Sequence, residues 1–126
     1  MTSRILLVED DKDLQELYVS MLESSDYQIA QAYDGGEALV RLEEAGADLI
    51  VLDIILDEMM GDDFYMRIKQ DGRFAGIPVV VVSALPVERC QPMLEADPTT
   101  VFLRKPFRRK QLLEALERGL VRDEEF

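Results

Sequence analysis

Four short apolar runs in this chain, Ile5-Leu6-Leu7-Val8, Leu49-Ile50-Val51-Leu52, Val79-Val80-Val81-Val82 and Val101-Phe102-Leu103, carry no polar alternation. A strand with one wet face alternates with period two, so unbroken runs of this length suit strands covered on both faces. A looser, half-polar stretch, Gln28-Ile29-Ala30-Gln31-Ala32 between Tyr27 and Tyr33, reads as an edge strand. Each interval between the runs is long enough for a crossover helix. Leu14, Leu17, Tyr18, Met21 and Leu22 fall at helical spacing, with Asp10, Asp11 and Asp13 at the N-terminal end, where the helix dipole favours anions. Glu37 to Ala45, closed by Gly46, predicts a second helix, Asp62 or Asp63 to about Gln70 a third, and about Arg108 to Arg122 a last one. Pro86, Pro92 and Pro98 break the fourth interval, which predicts a short, kinked or late-starting helix there. Strand and helix alternating without a linker or repeat give one α/β domain with a mostly parallel sheet.

Charge narrows the function classes. The net charge of −12 is the wrong sign for holding phosphate backbones by counterion release. With one cysteine, Cys90, and no histidine, the chain offers no intramolecular disulfide, no zinc-type cluster and no Ser-His or Cys-His nucleophile pair. A reducing, cytoplasmic compartment is expected, since no signal-peptide core or membrane-length apolar run is visible. Residues 1–63 hold 17 acids against 3 bases, residues 64–126 hold 9 against 11, so a cation site is sought in the first half. Arg104, Lys105, Arg108, Arg109 and Lys110 gather where the last helix should begin, either a docking surface for an acidic partner or a solvated face.

In open parallel sheets, ligands bind beyond the carboxyl ends of the strands. Counting the looser stretch as the second strand, the first strand is followed by Glu9-Asp10, the third by Asp53, the fourth by Ser83-Ala84 and the fifth by Arg104-Lys105. Singly, each has an ordinary explanation: Glu9-Asp10-Asp11 as a solvated turn capping a helix, Ser83 and Lys105 as common strand-end residues. Asp53 is harder to dismiss, because its apolar flanks place it where desolvation is costly. Clustered carboxylates repel unless a cation sits among them, and oxygen ligands without His or Cys select Mg²⁺ or a similar hard ion such as Mn²⁺. An aspartate beside such an ion can attack a phosphoryl group, whose oxygens a Ser hydroxyl and a Lys ammonium can then hold.

These residues resemble the receiver domain of bacterial two-component response regulators over essentially the whole chain. The matching pieces are Ile5-Leu6-Leu7-Val8-Glu9-Asp10, Leu49-Ile50-Val51-Leu52-Asp53, Met59-Met60-Gly61, Ser83-Ala84 and Lys105-Pro106-Phe107. The resemblance implies a doubly wound, flavodoxin-like fold with a five-stranded parallel sheet of order 2-1-3-4-5. It implies Asp53 as phosphoacceptor, with a phosphohistidine of a sensor histidine kinase or histidine phosphotransfer protein as donor. Glu9 and Asp10 would bind the metal with Asp53 and the backbone carbonyl of Ile55. Ser83 would be the switch hydroxyl, followed by Ala84, Lys105 the phosphoryl-binding lysine and Phe102 the aromatic that changes rotamer, and the Lys105-Pro106 bond would be cis. Ile55 and Leu85 would border the approach of hydrolytic water.

The chain departs from the family pattern in four places. Asp57 stands where the family usually has Pro, Phe102 lacks a tyrosine hydroxyl, Pro92 lies in the fourth helix, and the first strand ends in Glu-Asp rather than Asp-Asp. Residues 1–126 are expected to form one receiver domain without an effector domain, not an enzyme beyond self-catalysed phosphotransfer and autodephosphorylation. It would switch a downstream protein partner without direct contact to nucleic acid or membrane. The alternative is a receiver-like interaction module that works without phosphorylation. An aspartyl-nucleophile phosphatase fits less well, because the second Asp it usually carries is here Ile55.

Overall fold

Two strands, β3 (Leu49–Asp53) and β4 (Val79–Ser83), are buried at every position, as unbroken apolar runs require when helices cover both faces of a sheet. The computed structural model describes residues 2–54 and 60–124. Around the central pair lie β1 (Arg4–Val8), β2 (Gln28–Ala32) and β5 (Val101–Arg104), all parallel, in the order β2-β1-β3-β4-β5. β2 is at the edge and only partly buried, consistent with its polar sequence. The intervening helices are α1 (Lys12–Leu22), α2 (Gly35–Ala45), α3 (Met60–Lys69), α4 (Gln91–Ala96, preceded by a 3₁₀ turn over Val87–Cys90) and α5 (Arg109–Glu124). This is the doubly wound, flavodoxin-like arrangement that the resemblance implied.

Strand alternation divides the core into two layers. Ile5, Leu7, Leu49, Val51, Val80 and Val82 face α1 and α5, where Tyr18, Leu22, Leu112 and Leu116 meet them. Leu6, Ile50, Leu52, Val79 and Val81 face α2, α3 and α4 through Ala38, Leu42, Phe64, Tyr65, Ile68 and Met93. No helix among the described residues is long and apolar enough to cross a membrane.

Helix ends follow their local chemistry. Asp11 caps α1 by accepting from the Asp13 and Leu14 amides, Asp34 caps α2 through the Glu37 amide, and Gly46 ends α2 at φ 67°, a left-handed conformation that glycine tolerates. The α1 stripe differs from the periodicity reading: Leu17 is 47% exposed, whereas Gln15 is buried beside Tyr18 and Leu22. Gln15 is admitted because its amide donates to the carbonyls of Leu7, Glu9 and Ala32 and accepts from Gln31. Pro92 falls in the first turn of the short α4, where its missing N–H costs no helical bond. Within the basic cluster, Arg109 has a local task. Its guanidinium donates to the Met21 carbonyl and Ser24 Oγ at the end of α1, whose last turn contains no basic residue of its own.

Candidate functional site at the carboxyl ends of the strands

Backbone bonds carry the sheet geometry one residue past the strand ends and so fix where the polar side chains begin. The Glu9 amide donates to the Ala32 carbonyl at 3.1 Å, Ile54 to Val82 at 2.9 Å, and Lys105 to Ser83 at 2.9 Å. Glu9, Asp53, Ser83 and Lys105 therefore stand in register along one edge. The run Glu9-Asp10-Asp11 divides three ways: Glu9 is buried, Asp10 is exposed, and Asp11 is the α1 cap. The capping explanation thus holds for Asp11 alone.

Asp53 is 5% exposed, and its two carboxylate oxygens have unequal surroundings. Oδ2 pairs with Lys105 Nζ at 2.6 Å and accepts from the Tyr18 hydroxyl at 2.8 Å. Among the described residues Oδ1 is buried without a hydrogen-bond partner, and so is Oε1 of Glu9. The other Glu9 oxygen accepts from the Asp11 amide at 3.2 Å. Burial pushes the Glu9 carboxyl up to about 8, and the neighbouring Asp53 adds to the rise. Burial also raises Tyr18, with the Asp53 charge acting in the same direction.

Two buried carboxyl oxygens without a hydrogen-bond partner fit a hard divalent cation, which would displace the proton that Glu9 holds and supply positive charge in its place. Asp10 stands outside that buried pair, and among the described residues no three acidic side chains are grouped so as to enclose an ion. That arrangement suits Mg²⁺ better than a cation needing an all-protein cage, because Mg²⁺ retains several waters and needs only one or two carboxylates. Ile55 and Asp57 lie outside the described residues.

Ser83 shares the edge and is buried, but its hydroxyl accepts from the Leu85 amide at 2.9 Å. Ala84 next to it is exposed. A cavity of about 240 Å³ opens beside Ser83, lined also by Val81, Leu85, Cys90 and Phe102. Phe102 is half-buried against the α2/α3/α4 layer of the core. The Lys105-Pro106 peptide is cis. Following it, the Phe107 ring stacks on Tyr18 with centroids 5.6 Å apart.

Strand ends that deliver a buried aspartate, a second buried acid and a lysine to one cluster recur in a known family. A model of the response regulator receiver domain matches residues 5–117. The chain belongs to this family. It is 34% identical over 109 residues to the sensor histidine kinase TmoS of Ectopseudomonas mendocina, a match covering 86% of this chain and 11% of that protein. It is 27% identical over 117 residues to the polar-differentiation response regulator DivK of Brucella ovis, covering 93% of this chain and 95% of that one. Among solved structures, the chemotaxis response regulator CheY4 of Vibrio cholerae superposes with a TM-score of 0.85 at 26% identity, over 95% of this chain and 100% of that chain. The chain thus spans about a tenth of the kinase's length and nearly all of DivK's.

Two members of the cluster were not singled out in the sequence. Helical periodicity places Tyr18 on the apolar stripe of α1 and gives Gln15 no role. The hydroxyl on a residue two helical turns beyond Asp11 is the available signal for the first; nothing local marks the second.

Proposed function

We propose that Asp53 of this receiver domain accepts a phosphoryl group from the phosphohistidine of a sensor histidine kinase or a histidine phosphotransfer protein. The observation that carries this reading is the buried Asp53 carboxylate, paired with Lys105 at 2.6 Å beside the partnerless oxygen of Glu9. In the transfer, the phosphorus–nitrogen bond of the donor breaks as an Asp53 oxygen bonds to phosphorus. Lys105, half-buried and aimed into the cluster, follows the phosphoryl oxygens. Ser83 releases the Leu85 amide and donates to the same group, and Phe102 moves into the cavity beside it. Mg²⁺ (or Mn²⁺), held by Glu9, Asp10, Asp53 and the backbone carbonyl of Ile55, would neutralise charge on the phosphoryl oxygens. The resulting change at the face near Ser83 and Phe102 is read by a downstream protein partner in the cytoplasm, in keeping with a net charge of −12 that disfavours direct contact with nucleic acid.

Incubation with Mg²⁺ and a small phosphodonor should add one phosphoryl mass that is acid-stable, base-labile and abolished by Asp53→Asn. Absence of that mass in the wild type would favour an interaction module that works without phosphorylation.

A further inference from the structure

The Tyr18 hydroxyl donates directly to Asp53, and the proposed transfer does not use it. The ring is 2% exposed and stacked on Phe107, so the donor is fixed in place. Its target, Asp53 Oδ2, carries more negative charge in the carboxylate than in the mixed anhydride with phosphate, whose acyl group is uncharged whichever oxygen holds the phosphoryl group. A hydrogen bond to a charged acceptor is stronger than one to a neutral acceptor. From this geometry we infer that Tyr18 is a positioning residue that shortens the life of the phosphoryl group on Asp53. The inference rests on Asp53 being the phosphoacceptor.

In hydrolysis a water oxygen bonds to phosphorus while the bond from phosphorus to the Asp53 oxygen breaks. The electron pair of that bond stays with Asp53, the water proton leaves to phosphate or solvent, and the products are inorganic phosphate and the Asp53 carboxylate. Charge returns to the carboxylate along this path, so the Tyr18 bond strengthens from the acyl phosphate toward the transition state. Lys105 cannot substitute for it, because in the proposed mechanism its ammonium follows the phosphoryl oxygens.

The test uses Tyr18→Phe, which preserves the ring and its stacking and removes only the donor. At saturating Mg²⁺, the phosphorylated variant should decay about fivefold more slowly than the wild type. Tyrosine fluorinated at the ring position next to the hydroxyl, introduced at residue 18 alone, is a stronger donor of nearly the same size and should decay faster than the wild type; a packing defect would not produce that order. In the metal-free, unphosphorylated protein, the Tyr18 hydroxyl proton should exchange slowly and shift on Asp53→Asn. Equal or faster decay of Tyr18→Phe overturns the role of Tyr18 and leaves Asp53 as phosphoacceptor. A wild type that forms no acyl phosphate on Asp53 overturns both.

Discussion

The sheet carries a lysine–aspartate pair at each end, and the two are opposite in kind. At the amino ends of β4 and β5, Lys69 Nζ pairs with Asp97 Oδ2 at 2.8 Å and also donates to the carbonyls of Ala75 and Ile77 at 3.2 and 2.9 Å. Asp97 Oδ1 in turn accepts from the Thr99 amide and hydroxyl. Every ammonium hydrogen has an acceptor and both carboxylate oxygens have donors. At the carboxyl ends, Lys105 meets Asp53, yet among the described residues Asp53 Oδ1 and Glu9 Oε1 have no hydrogen-bond partner. Burying polar groups is costly unless they are paired, so the first pair serves the fold while the second stores an unmet demand for positive charge. The adjacent tyrosines divide in the same way. Tyr65 bonds the Met93 carbonyl and Thr100 and ties α3 to α4 and β5, whereas Tyr18 spends its hydroxyl on Asp53.

Breaking the satisfied pair should have the largest effect on stability. Lys69 has a side chain only 6% exposed, so Lys69→Met leaves Asp97 and two carbonyls without their donor. We expect a loss of about 3 kcal/mol in denaturant unfolding, with an unchanged slope. Lys105→Met should cost less, because the Lys105 side chain is 24% exposed and already partly solvated. Equal losses would mean that both pairs are structural.

Neutralising the aspartates should give opposite signs. Asp97→Asn removes the charge that Lys69 and Thr99 were arranged around and should destabilise by about 1–2 kcal/mol. Asp53→Asn keeps an acceptor for Tyr18, lets Lys105 turn to water and removes one of two crowded acids, so it should raise the thermal midpoint in metal-free buffer. Added Mg²⁺ should stabilise the wild type and have little effect on Asp53→Asn. A midpoint lowered by Asp53→Asn would place both pairs in the same class.

This contrast also marks what the sequence could reveal. Short unbroken runs rich in valine, isoleucine and leucine announce buried parallel strands, because their length and β-branched content favour a strand over a buried helix, and strand ends are where ligands bind in such sheets. Asp53 and Lys105 were legible for that reason, and so was the interrupted fourth helix, through its prolines. The three fates of Glu9, Asp10 and Asp11 were not, since neighbouring acids read alike until the end of β1 fixes which one turns inward. Gln15 and Leu17 exchanged places because a buried amide is stabilised by carbonyls from two strands that are remote in sequence. Lys69 and Asp97 gave no signal, as their pairing depends on the route of the chain between α3 and β4.

Acid and base should separate the two ends. Glu9 is raised to about 8 from an ordinary 4.5, so the folded protein holds a proton there that the unfolded chain releases. Stability in the presence of a chelator should therefore fall as pH rises from about 4.5 to about 8, and Glu9→Gln should flatten that slope. At Asp97 burial acts upward, but the Lys69 ammonium and the Thr99 donors outweigh it and lower the carboxyl below 3.8. Its contribution is complete above the unfolded value and lost as pH falls through the folded one, so Asp97→Asn should remove part of the acid limb only.

The smallest contrast concerns the hydroxyls. Thr99 Oγ1 donates to Asp97 at 2.6 Å, so Thr99→Val deletes a bond to a charged acceptor. Because Thr99 is exposed and water can replace part of that bond, the cost should be about 0.5–1 kcal/mol. Ser83 stands at the matching position by the other pair but bonds the Leu85 amide rather than Asp53. Ser83→Ala therefore removes no donor from the carboxylate, and a smaller methyl occupies the edge of a cavity already present. Chemical denaturation should detect the first substitution clearly and the second within about 0.5 kcal/mol of the wild type. If Ser83→Ala costs as much as Thr99→Val, the Ser83 hydroxyl is part of the scaffold. It would then not be held in reserve for a ligand at the carboxyl edge.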